Sequence, residues 1–223
     1  MAEEPEWKKG LEKRNLLDKL NLSVQELSEL GIGWLIMAAI LIYLRRDRLS
    51  GSLFEFEIFL LVLLVSFFTH ELMHKFTAIR FGARAYFRIS KEGLIITLLS
   101  VIIGFPMLAV GAVFWWGEAA SSVGIRGRVS AAGPISNLIL IGFSYMLVGI
   151  GFAILPSNLE LASIVLQVGI TGVSLNIFIG LFNLLPLGVF DGAKVLDWDG
   201  RIWIALIGLF LFFGFIGGGF GLF

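Results

Sequence analysis

The chain has 223 residues, 57% of them hydrophobic and 15% charged, with a mean hydropathy of +0.91. That is too apolar for a soluble globular domain and reads as a polytopic membrane protein; zero formal net charge argues against nucleic acid as a partner. The absence of cysteine excludes disulfides and cysteine-based zinc or nucleophile chemistry, and two histidines are too few for a histidine-rich diiron enzyme.

Residues 1–28 are highly charged and lack the apolar core and cleavage site of a signal peptide. Leu16, Leu20, Val24 and Leu27 fall at helical spacing, which predicts an amphipathic segment lying on the cytoplasmic membrane surface. Residues 29–223 are expected to form the membrane-embedded domain. A first span runs from Ile32 to Leu44, extended by Leu30 and Gly31, and is closed by Arg45, Arg46 and Arg48.

The second span starts near Phe54 and ends around Arg80, with Gly82 as its stop. It carries His70-Glu71-Leu72-Met73-His74. Two imidazoles and a carboxylate are costly in an apolar helix unless paired or bound, and residues four apart share one helical face. His70 and His74 therefore offer ring nitrogens to one ion, and Glu71 beside them suits a base that takes a proton from water.

Arg84 to Ile96 is rich in β-branched and aromatic residues and has a turn signal at Lys91-Glu92-Gly93, predicting a small β-hairpin whose strand edge receives substrate. Leu98 to Trp116 is apolar but broken by Gly104, Pro106 and Gly111, and spans follow at Val129–Leu155, Leu161–Leu185 and Ile202–Phe223. If 98–116 turns back instead of crossing, every lysine and arginine except Arg45, Arg46 and Arg48 lies on the motif side. The positive-inside rule then makes that side cytoplasmic. The expected fold is an all-α polytopic membrane protein of five to six transmembrane helices with a membrane-associated hairpin and a re-entrant segment.

A catalytic zinc takes about three protein ligands and keeps one position open. Without further histidine or cysteine the third must be a carboxylate, from among Glu92, Glu118, Glu160, Asp191, Asp197 and Asp199. Asp191 stands out, because Pro186 ends a helix just before it and Gly192 allows a close turn, although a loop-end aspartate capping a turn has the same appearance. Asn183, inside the apolar run, is costly unless bonded: it either meets a developing oxyanion or substrate backbone, or bridges helices.

His70 to His74, the Asn183 to Gly192 stretch and Gly133-Pro134 together resemble the site-2 protease family of intramembrane metalloproteases, and frame about residues 53–200. The resemblance implies zinc, one per chain, held by His70, His74 and Asp191. It implies Glu71 as general base, Asn183 as an active-site and substrate-binding residue, and transmembrane segments of other proteins in the lipid bilayer as substrates. Met73 departs from the glycine usual in the family motif. The competing function is a catalytically silent membrane protein that binds transmembrane partners; an intact Glu71 argues against it, since a structural site needs ligands but no base.

Overall fold

The computed structural model describes residues 22–45 and 53–216. Leu16 and Leu20 of the expected surface segment, residues 46–52 and the end of the last expected span lie outside them.

Helix α1 (Val24–Arg45) begins well before Ile32. The reason is local: Ser23 Oγ accepts the Glu26 N–H at 3.1 Å, which caps the helix and draws Val24 and Leu27 into its first turns. Helix α2 (Leu53–Arg80) carries the histidine motif. It stops where Gly82 takes φ +80°, a left-handed turn that costs a glycine little.

The expected hairpin is corrected. Strand β1 (Arg84–Ile89) does not fold back at Lys91-Glu92-Gly93; those residues open helix α3 (Lys91–Ile103), whose N-terminus is capped by Ser90 Oγ accepting the Gly93 N–H at 2.9 Å. The partner of β1 is β2 (Gly111–Trp116), antiparallel, with Arg84 opposite Trp116 and Ile89 opposite Gly111. The segment 98–116 thus comprises the end of a helix, a loop over 104–110 and a strand. It brings the chain back beside the start of β1, where Trp116 pairs with Arg84.

A short 3₁₀ turn (Glu118–Ser121) leads to α4 (Val123–Ile154), then α5 (Leu159–Asn183), the short α6 (Asp191–Trp198) and α7 (Gly200–Ile216). Helices α1, α2, α4 and α5 are long and apolar enough to cross a membrane, and α7 is a shorter apolar helix. The architecture is that of a mostly helical membrane protein with one two-stranded sheet.

The sheet hangs on α1 and α2. Phe87 is buried and meets Phe67 of α2 edge to face, with centroids 5.8 Å apart. Glu26, buried, pairs with the equally buried Lys75 of α2 and accepts the Phe87 N–H at 2.9 Å. Glu29 pairs with Arg88 and accepts the Ile89 N–H at 3.1 Å.

The strand pairing decides which edge is open. Ser90 N–H reaches Val110 C=O at 3.1 Å, so even-numbered residues of β1 bond β2 and the backbone groups of Phe87 and Ile89 face outward. Glu26 and Glu29 occupy that outward edge. Since 91–96 is helical as well and the Phe87 and Ile89 N–H groups are engaged, Arg84 to Ile96 offers no continuous free strand edge for substrate. The outward groups of Gly111, Val113 and Trp115 on β2 have no hydrogen-bond partner among the described residues.

Candidate metal centre

Helix α2 presents His70 and His74 one turn apart on its buried face, and α6 brings Asp191 to them from its first turn. His70 Nε2, His74 Nε2 and Asp191 Oδ2 stand 3.1, 3.5 and 3.0 Å apart pairwise. Ligands on a tetrahedral ion with bonds of about 2.0 Å lie about 3.3 Å from one another, so the triangle has the dimensions of a zinc site. Among the described residues this is the one group of histidine and acidic side chains arranged to hold a metal ion.

The outer ring nitrogens select the tautomer. His70 Nδ1 lies 2.6 Å from Asn137 Oδ1, and His74 Nδ1 lies 2.7 Å from the Val129 carbonyl. Both partners accept, so each Nδ1 carries the hydrogen and each Nε2 turns its lone pair to the centre. Two lone pairs and a carboxylate oxygen converging at such distances call for a cation between them, and the donor set fits zinc. Asp191 lies beyond the spanning helices; burial works against its charge, but when a proton rather than a cation sits on the Nε2 atoms, the charged His74 ring, the N–H groups of His70 and His74 and the Lys194 ammonium outweigh it and hold its carboxyl well below the usual carboxylate range.

Helix α4 supplies the floor. A methyl group on Gly133 would overlap the Nε2 atoms of both histidines, so only glycine lets this backbone approach. Gly192 is tied likewise: a side chain there would strike the Leu184 carbonyl, which also accepts the Trp203 indole N–H at 2.8 Å. The turn from α5 to Asp191 is therefore clamped from α7.

Glu71 is buried and its Oε2 has no hydrogen-bond partner among the described residues. It lines one cavity with the three donors, Asn183, Lys194 and the outward edge of β2. The residues expected to act together are thus brought together. Asn183 donates to the Ile179 carbonyl of its own helix at 3.0 Å and bridges no helices. Of the Arg84 to Ile96 stretch, Ser90 and Gly93 reach the cavity wall.

Sequence reasoning missed Asn137, Asn176, Lys194 and the Val129 carbonyl. Asn137 and Asn176 carried a signal, being amides inside apolar runs where an unbonded polar group is costly. A backbone carbonyl leaves none.

Comparison with known proteins gives two relatives. The Methanocaldococcus jannaschii protein named "Putative zinc metalloprotease MJ0611" is 34% identical over 188 residues, covering 84% of this chain and 91% of that protein. The Bacillus subtilis protein named "Putative zinc metalloprotease YwhC" is 32% identical over 149 residues, 61% of this chain and 66% of that one. No family model and no solved structure matches.

Proposed function

Because the chain belongs to the zinc metalloprotease family of these archaeal and bacterial relatives, we propose that it is an intramembrane endopeptidase of the site-2 protease type, cutting within or next to transmembrane segments of other membrane proteins. The observation that carries this reading is the position of the donors: His70 and His74, on a helix long and apolar enough to span, meet Asp191 of the short α6 inside the helical body. A protease that worked on soluble chains would have no use for a centre so placed.

Zinc, when bound there, supplies Lewis-acid polarisation of the scissile carbonyl and brings a water's pKa toward about 7. Glu71 takes a proton from the attacking water at Oε2 and delivers it to the leaving amine. Asn183, one of whose two amide hydrogens goes to the Ile179 carbonyl, keeps its Oδ1 for a substrate backbone N–H. Lys194 Nζ lies 4.0 Å from Asp191 Oδ1 and balances the charge of that carboxylate.

A transmembrane substrate is helical and its carbonyls are engaged, so it must unwind before it can be cut. An extended stretch loses least by pairing as a strand, about 4.8 Å from its neighbour. The outward edge of β2 at Gly111, Val113 and Trp115 borders the same cavity as Glu71, which supports β2, not 84–96, as the receiving edge. The basic residues on the motif side support a cytoplasmic opening of the cavity, through which water reaches the site.

The test uses purified protein and Glu71→Gln, each assayed for bound zinc and for cleavage of a helix-destabilised transmembrane substrate. The reading expects about one zinc in both and cleavage by the unsubstituted chain alone. Zinc in both with no cleavage by either favours a silent partner-binding protein. No zinc in either removes the metal centre.

A further inference from the structure

Asn137 and Asn176, on α4 and α5, are both buried among apolar side chains. Their amides form a directed chain. Asn176 Nδ2 donates to the Gly172 carbonyl at 2.8 Å, Asn137 Nδ2 donates to Asn176 Oδ1 at 2.8 Å, and Asn137 Oδ1 faces His70 Nδ1 at 2.6 Å.

The direction is forced from the far end. A backbone carbonyl only accepts, so Asn176 must turn its NH₂ to Gly172 and its oxygen to Asn137. That oxygen in turn claims the NH₂ of Asn137. The oxygen of Asn137 is left for His70, and an acceptor at Nδ1 holds the hydrogen on Nδ1. Released from Asn176, the Asn137 amide is free to rotate and offer N–H to Nδ1. The hydrogen of His70 would then move to Nε2, the atom facing Asp191 and His74.

We propose that Asn176 is a positioning residue that determines, through Asn137, which nitrogen of His70 is free to bind a cation. The role rests on the metal-centre reading above. A bond that merely joins α4 to α5 is the alternative, and it predicts a different order of variants.

Asn176→Leu removes the lock. Asn176→Asp keeps it, because a protonated acid at this buried place donates its O–H to the Gly172 carbonyl and still accepts the Asn137 N–H with its other oxygen. In Asn137→Asp/Asn176→Leu the residue beside His70 has no N–H to offer, so the Nδ1 hydrogen is held again. A purely structural bond would make the buried aspartates at least as damaging as leucine.

The readout is ¹⁵N NMR of histidine-labelled full-length protein after chelation, with zinc affinity measured by chelator competition on the same samples. Only two rings contribute signals, since the chain has two histidines, and His74, held by the Val129 carbonyl, is an internal control. We expect Nδ1–H at both rings in the unsubstituted chain and in Asn176→Asp. Asn176→Leu should show Nε2–H at His70 alone, with zinc affinity lower by about 10-fold. The double variant should recover both properties. An unchanged His70 tautomer in Asn176→Leu, equal losses in the leucine and aspartate variants, or no recovery in the double variant each overturns the proposal. The predicted tautomer pattern in a protein that binds no zinc overturns the metal reading instead and leaves the positioning role standing.

Discussion

Gly133→Ala tests the centre most directly, because it adds a single methyl group to a helix that carries none of the donors. The new Cβ would lie 2.6 Å from His70 Nε2 and closer still to His74 Nε2, where ordinary contact begins at 3.4 Å. Relief requires α4 and the imidazoles to separate by roughly 1 Å, several times the tolerance of about 0.2 Å that a metal site allows its ligands. The overpacking itself costs about 1–3 kcal/mol. Zinc affinity should therefore fall by more than the 10–100-fold typical of losing an outer partner. The control is Gly142→Ala in the same helix, where a Cβ meets nothing within 4 Å and helix propensity improves by about 0.8–1.0 kcal/mol. Chelator competition reads the affinity, and thermal unfolding in detergent separates it from stability. A Gly133→Ala protein that bound zinc as the unsubstituted chain does would refute the placement of α4 against the donors.

Two further outcomes follow from the same geometry. Trp203→Phe leaves the buried Leu184 carbonyl without its indole donor, at a cost of about 1–3 kcal/mol; because Gly192 packs on that carbonyl, zinc affinity should drop severalfold although residue 203 touches no donor, and an unaltered affinity would uncouple α7 from Asp191. Zinc binding should also weaken as pH falls, because protons compete with the cation for the Nε2 atoms. Asp191 is held below the usual carboxylate range, so its own protonation contributes only at still lower pH. A zinc affinity unchanged on acidification would contradict this.

The chemistry was legible because it is written in local rules. His70 and His74 share a helical face by spacing alone, with Glu71 at its lip, and their cost in an apolar span marks them as functional candidates. Asp191 was nominated by Pro186 and Gly192, which advertise a turn, and the breaks at Gly104, Pro106 and Gly111 marked 98–116 as no continuous helix. Pairing between strands was not readable. The residues from Arg84 to Ile96 hold enough β-branched and aromatic side chains for two strands, yet the Ser90 cap commits the second half to a helix, and β1 finds its partner beyond it, at Gly111–Trp116. Which strand edge remains open depended on Glu26 and Glu29, carboxylates from a helix distant in sequence.

Composition and periodicity thus determined the membrane class and the approximate position of the apolar helices, and nominated the donors and the base proposed here. They act through hydrophobic burial and helical geometry, which depend on neighbours along the chain. The tertiary structure alone decided how closely α4 approaches the imidazoles at Gly133, which nitrogen of each histidine faces the centre, and that the Asn137–Asn176 chain holds one of them in place. Those properties are set by contacts between α2, α4 and α5, and a hydrogen bond between distant residues leaves no period in the sequence by which to read it.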